Sequence, residues 1–424
     1  VTPPENLVEF VFGQPWPISW AYWMLAAVAL PGIFEWKRNK RVPLAFALLP
    51  LCWFIWQLFA SAHTVDASLT RATMPHLGVC VVCFYLGLFA LGRIERSQSF
   101  WIGLVAGLLL VMVSGWQQHF GGLAATREYF WKEIYPTLKT IPVDYMNKIS
   151  SNRIFATLFY PNTLAAAMIL LLPAAGAAVY RWAGGGRFTM AARLFLTLGT
   201  LFAGLACLFW SGSKGGWLVM LFMIVLGFLT WPLRQPGNVD ARTARLFRLA
   251  SKVRLAVLVL LVAGGLAGFF WTYASFFKRG APSVGARFDY WRGAVKTAIA
   301  NPIHGSGPGT FAISYSTVKA SESEMSRLVH NDYLQQASDS GFPGFLLYAA
   351  FIAGGLWLAH RSTRPESMSE LTTEDRLMRF SVWLGICGWA IHSFMEFNLY
   401  VPAIAWSAFA LLGWLCAKAV PTAD

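Results

Sequence analysis

Charge is what this chain lacks most. Asp, Glu, Lys and Arg make up 13% of its 424 residues and apolar side chains 56%, where an ordinary soluble domain carries about 25% charged residues. That deficit excludes a water-soluble globule. Cysteine is scarce too. Cys52, Cys80, Cys83, Cys207, Cys387 and Cys416 all lie within apolar runs, where a thiol behaves as a small hydrophobe, so no disulfide framework is expected. Cys80 and Cys83 make a C-x-x-C, but no second Cys/His pair stands near by, and the pair reads as helix packing rather than a zinc or redox centre. The net charge of +14 does not point to nucleic acid, because the basic residues fall in short clusters between apolar runs and form no continuous stripe or groove.

Long apolar runs are abundant. A bilayer-crossing helix needs about 20 mostly apolar residues, and eleven stretches qualify: 17–34, 43–60, 75–92, 100–116, 158–180, 194–210, 217–231, 255–273, 342–359, 380–395 and 401–417. The 20 Trp and 33 Phe fit helix ends resting at two membrane interfaces. The predicted fold is therefore an all-α polytopic membrane protein, one transmembrane domain over 1–424 with two long excursions, 117–153 and 276–341. Sorting Lys and Arg by alternate connection puts 20 of the 34 basic residues, with 8 of the 20 acidic ones, on one side. By the positive-inside rule that side is cytoplasmic. The first span then starts outside, and with Val1 opening the chain a further amino-terminal span is expected, making twelve in the full protein.

The excursion 276–341 is far longer than an ordinary connection, and such lengths are commonly functional. Phe288, Trp291, Ala294, Val295 and Ala298 recur at helical spacing, with Arg292 and Lys296 on another face, which predicts an amphipathic helix lying on the outer membrane surface. Gly307-Pro308-Gly309 reads as a turn, or as a nest of backbone N–H groups for an anion. The run 326–341 reads as a short helix with His330, Tyr333, Leu334 and Ala337 on one face and Asp332, Gln335, Gln336 and Asp339 on another.

Three stretches together resemble one family. His330-Asn331-Asp332-Tyr333-Leu334-Gln335, followed by Asp339-Ser340-Gly341-Phe342-Pro343-Gly344, is similar to the histidine-asparagine signature of the O-antigen ligase and polymerase superfamily. Arg287 to Phe311, through Trp291, Pro302, Gly305, Gly307 and Gly309, resembles that family's Arg, Trp and glycine-rich pattern. Arg153, Thr157, Pro161, Asn162, Leu164 and Ala165 resemble its Arg, Thr and Asn-Pro-Asn-x-Leu-Ala pattern. The likeness runs from about Arg153 to Pro402 and takes in His392, Ser393 and Asn398. Two positions depart from it: Tyr160 stands where the first Asn is common, and Lys214 where an Arg is common. Lys offers a point charge and not a planar fork.

The resemblance implies transfer of a glycan from undecaprenyl diphosphate to an acceptor hydroxyl at the periplasmic face of a bacterial inner membrane. Arg287 and Lys214 would neutralise the departing diphosphate, and neutral His330 would take the acceptor's proton. Arg153, Asn162, Arg292, Asn331 and Gln335 are the expected substrate-binding residues. The outward acids, Asp289, Glu322, Glu324, Asp332, Asp339 and Glu396, are scattered in sequence with no recognisable metal cluster, so no metal or cofactor is expected. Lipid A core as acceptor makes a ligase; a second carrier-linked glycan makes a polymerase; a protein hydroxyl makes an O-oligosaccharyltransferase. The ligase is the favoured reading. A secondary transporter, the competing class, is expected to carry ionisable groups near mid-membrane, and most of these spans carry none.

Overall fold

The computed structural model describes residues 21–29, 42–92, 98–137, 150–158, 160–184, 186, 188–231, 241–278, 282–321, 323–364 and 371–419. Among them there is no strand. The helices are α1 Leu44–Ser61, α2 Ala67–Tyr85, α3 Gln98–Gln117, α4 Leu123–Tyr129, α5 Pro161–Trp182, α6 Met190–Trp210, α7 Lys214–Thr230, α8 Ala241–Thr272, α9 Ala274–Lys278, α10 Pro282–Ala300, α11 Phe311–Val318, α12 Asp332–Ser362, α13 Thr373–His392 and α14 Pro402–Ala417. Every predicted span from 43–60 onward falls on one of these, and 21–29, the described part of the first, is helical.

This is a multi-pass membrane protein. Among the described residues seven helices are long and apolar enough to cross a bilayer, while Lys214–Thr230 and Pro402–Ala417 are apolar but shorter. Helix α13 covers another predicted span but opens on Glu374, Asp375 and Arg376. Pro236 and Gly237 mark residues 235–239 as a cytoplasmic-side turn in the sequence, but these residues lie outside the described ones, and 117–153 is described as far as 137 and again from 150.

In lipid, apolar surface gives helices no reason to associate, so close approach through small residues does the holding. The bundle is built that way. Helix α5 starts with Pro161 at its first turn, where a missing N–H costs nothing, and its alanines Ala165, Ala166, Ala167, Ala174 and Ala175 are buried. Gly385 of α13 lets that helix press on the Leu170 carbonyl of α5. Helix α2, continued by the helical turn Leu86–Leu91, crosses α14 where a Cβ on Gly87 would collide with the Ala410 carbonyl, and one on Gly413 with the Phe84 carbonyl. Helix α1 packs on α12 through rings, with Trp53 and Tyr348 centroids 5.6 Å apart and Phe46 and Phe351 6.0 Å apart.

One sequence expectation for the excursion is corrected. His330 is not on a helix face: α12 starts at Asp332, Asn331 caps it, and His330 has a left-handed backbone with φ 55°. Residue Asn331 prefers the cap because its Oδ1 accepts the N–H groups of Tyr333 and Leu334, both at 3.0 Å. Helix α10 buries Tyr290, Ala294, Thr297 and Ala298 and leaves Phe288 and Val295 exposed beside Arg292 and Lys296. Its small residues turn inward because Tyr315 lies against Gly293, leaving no room there for the larger apolar side chains.

A Gly413→Ala substitution forces the α2–α14 crossing apart and is expected to cost about 1 to 3 kcal/mol, the usual cost of overpacking. Gly103→Ala in α3 has nothing within 4 Å and serves as the control. Thermal unfolding in detergent compares the two; equal Tm values would show that the crossing is not close.

Candidate active site

Five stretches far apart in sequence converge on one cavity of about 200 Å³. Their ends are fixed first by backbone contacts. The N–H of Asp332 donates to the Ser393 carbonyl at 2.8 Å, and Asp332 Oδ2 accepts the N–H of Leu399 at 2.9 Å. These bonds tie the turn after α13 to the start of α12, which sets Glu396 beside His330. On the other wall, Ile154 N–H donates to the Trp210 carbonyl at 3.2 Å. That bond lays Arg153 across Ser211 and Gly212, where Gly212 has φ +61° and a Cβ would meet the Arg153 side chain at 3.1 Å.

Glu396 is the centre of the arrangement, with a side chain 5% exposed. Its Oε1 accepts from Arg287 Nη2 and from Asn162 Nδ2, the latter at 2.5 Å. Its Oε2 lies 3.2 Å from His330 Nδ1. Asn162 in turn accepts from Arg153 Nη2 at 2.6 Å, while Arg153 Nε donates to the Ser211 carbonyl at 2.7 Å. Arg287 also donates to the carbonyls of Met395 and Ser283, each at 3.1 Å. Burial alone pushes the Glu396 carboxyl up, but the His330 hydrogen bond and the Arg287 charge outweigh it and hold the group below its ordinary range, so it is ionised. Burial draws Arg153 down from its usual value, against the opposing pull of Tyr160 and Glu396. Tyr160, on the cavity wall, is pushed up to about 12, chiefly by burial, and is a neutral phenol.

An ionised carboxylate can only accept, so it is His330 Nδ1 that bears a proton, and in the neutral ring that leaves the lone pair on Nε2. The ring is held by Phe397 at 4.8 Å, Tyr290 at 5.8 Å and Tyr160 at 6.5 Å between centroids. Across the cavity Lys214 is the first residue of α7, directly after the cap Ser213, whose Oγ accepts the Gly216 N–H at 3.2 Å. Its Nζ sits 4.1 Å from the Phe276 ring centroid and 4.9 Å from that of Tyr273. A helix amino terminus and a cation together favour an anion at that wall.

Of the eight residues expected at the site, Arg153, Asn162, Lys214, Arg287 and His330 line this one cavity. The other three do not. Asn331 is a helix cap; Gln335 donates to Asp339 at 3.0 Å and accepts the Val329 N–H at 2.7 Å; Arg292 is exposed on the far face of α10. The glycine turn is a turn, but its N–H groups serve the fold and not a ligand: Gly307 donates to the Asp339 carbonyl and Gly309 to Asp339 Oδ2, both at 2.8 Å. The polar face predicted for α12 is buried as well, with Gln336 Oε1 accepting from Trp53 at 2.8 Å and Gln57 at 3.0 Å. Glu396 is the residue that sequence reasoning left among the scattered acids. Its one signal is position, between His392-Ser393 and Asn398 in a stretch that the resemblance covers.

Residues 199–349 match the O-antigen ligase family model. The chain thus bears the likeness that its motifs suggest, to the O-antigen ligase and polymerase superfamily. The matched stretch contains Lys214, Arg287 and His330 and stops before Glu396. It supports a membrane glycan enzyme of the O-antigen ligase or polymerase type. No curated protein matches the chain.

Removing the carboxylate charge leaves Arg287 without its partner, so Glu396→Gln is expected to destabilise the fold by about 3 kcal/mol at neutral pH, the lower end for a broken buried pair. Because the folded group titrates below its unfolded value, this stabilisation is complete above the unfolded carboxylate's range and is lost as pH falls through the lower folded value. Denaturant unfolding of both proteins from neutral pH into acid should show the gap closing. A gap that stays constant with pH would show that Glu396 is not the titrating anchor.

Proposed function

We propose that the protein is a glycosyltransferase at the periplasmic face of the bacterial inner membrane. It moves a glycan from undecaprenyl diphosphate to a hydroxyl of lipid A core, as an O-antigen ligase. The observation that carries the reading is a histidine whose Nδ1 rests on an ionised Glu396, in a cavity that also holds Lys214, Arg287 and the amino terminus of α7.

In the reaction the acceptor oxygen forms a bond to the anomeric carbon while that carbon's bond to the diphosphate oxygen breaks. The acceptor proton passes to His330 Nε2, and Glu396 stabilises the imidazolium that results, as the carboxylate of a catalytic triad does. The diphosphate leaves with the bonding electron pair and already bears negative charge. It therefore needs cations more than a proton, and Lys214 and Arg287 supply them. Those residues serve the part that a metal would otherwise take, and the reaction calls for no cofactor. Arg153 acts through Asn162, holding Glu396 in place.

Purified protein in proteoliposomes, given undecaprenyl diphosphate-linked glycan and lipid A core, is expected to transfer. His330→Ala should lose about 100-fold or more, the contribution of a positioned base, and wild-type activity in that variant would remove His330 from the mechanism. A second carrier-linked glycan and a peptide are the parallel acceptors. Transfer to one of them alone would make the protein a polymerase or an O-oligosaccharyltransferase, and transfer to none would favour the transporter reading. Lys214→Arg is expected to keep most of the rate, since a charge at the α7 amino terminus is what the diphosphate meets.

A further inference from the structure

A second recess, of about 450 Å³, opens between the adjoining ends of α1 and α2. It lies at the same end of the bundle as the histidine cavity, since the turn between these helices is bonded to the glycine loop through Val65 N–H and the Ser306 carbonyl at 2.9 Å. Phe54, Ala67, Met74 and Pro75 make it largely apolar. Its hydroxyls are engaged by the fold: Thr64 and Thr70 lie 2.7 Å apart, and Thr70 Oγ1 donates to the Pro308 carbonyl at 3.0 Å. One strong polar group remains, the guanidinium of Arg71.

Among the described residues Arg71 has no hydrogen-bond or ion-pair partner, and it is exposed. The nearest acid in sequence, Asp66, is engaged in capping α2, accepting the N–H groups of Ser68 and Leu69 at 2.9 Å each. Arg71 is also the fifth residue of a helix that is apolar and long enough to cross the membrane. At 1.5 Å per residue it stands about 6 Å in from the helix end, the depth at which Lys and Arg meet lipid headgroups. An uncompensated cation at that depth, beside a recess lined by hydrocarbon, fits a molecule with an anionic head and apolar tails.

We infer that this recess binds one phosphate-headed diacyl lipid, its phosphate on Arg71 and an acyl chain against Phe54, Met74 and Pro75. The site is separate from the histidine cavity and does not rest on the proposed glycosyl transfer. Charge complementarity selects the occupant: a neutral diacyl lipid would fill the apolar part and leave the guanidinium bare, and a free phosphate would leave the recess empty.

The test is lipid retention by the whole protein in detergent micelles doped equally with dioleoylphosphatidylglycerol and dioleoylglycerol, counted by native mass spectrometry. Wild type is expected to keep the phosphatidylglycerol at least tenfold over dioleoylglycerol. Arg71→Gln should abolish that preference, Arg71→Lys should retain most of it, and Ala67→Trp should lose the lipid by filling the recess with Arg71 intact. An unchanged preference in Arg71→Gln would overturn the inference, as would full retention in Ala67→Trp. Displacement of the lipid by millimolar inorganic phosphate would also overturn it, by showing a site for a free anion.

Discussion

Everything at the cavity hangs on one buried carboxylate. Glu396 is nearly inaccessible to solvent, and a lone charge there would be driven to protonate. What keeps it ionised is that Arg287, Asn162 and His330 all point hydrogen-bond donors at it. The dependence runs the other way as well. Arg287 on α10, Asn162 on α5 and His330 before α12 have no direct bond to one another, and their relative positions are set by the one acceptor they share. A carboxylate with two oxygens divides the work, with the cation and the amide on Oε1 and the imidazole on Oε2. The histidine's tautomer thus follows from a charge balance that also fixes two helices.

The membrane makes such an arrangement both costly and economical in space. Helices that cross through Gly87, Gly385 and Gly413 approach until backbone touches backbone, leaving no volume between them for polar chemistry. Polar groups therefore collect at one end of the bundle, where α12 breaks. At Gly341 the backbone takes φ +69°, and a Cβ would strike the Ile303 carbonyl. The loop 301–309 inserts at that break and is sealed by Asp339, which accepts from Gly309, Gln335 and Tyr400. The rigidity of this layer holds His330 in a left-handed conformation that few residues other than glycine adopt.

Much of this was legible in the sequence, and the reason is physical. Span positions follow from hydropathy, which is a property of single segments. The five residues that line the cavity were found from motifs, and the charge count independently put Arg153, Lys214, Arg287 and His330 on one side of the membrane. Glu396 was not found, because an acid near the end of an apolar run looks the same whether it faces water or gathers three partners. Asn331 and Gln335 were expected to bind substrate and lie outside the cavity lining. They stand in the motif beside His330, yet one caps α12 and the other braces Asp339, so a motif records what shapes the loop as well as what meets a ligand.

The three cations of the cavity are not equivalent, and their difference bears on why one of them can be a lysine. Arg153 and Arg287 each have a guanidinium fork tied to carbonyls and side chains from other elements, so planarity and multiple donors are used within the protein itself. A lysine in either place would leave acceptors unmatched. Lys214 carries a compact ammonium in place of a planar fork. It lies over two aromatic rings at the start of a helix, where the rings fix its direction and the helix amides add to its field. In the proposed transfer the requirement at that wall is positive charge facing the cavity, and a point charge meets it. The lysine that stands where the resemblance expects an arginine therefore falls at the cavity wall where the proposed transfer asks for charge without shape.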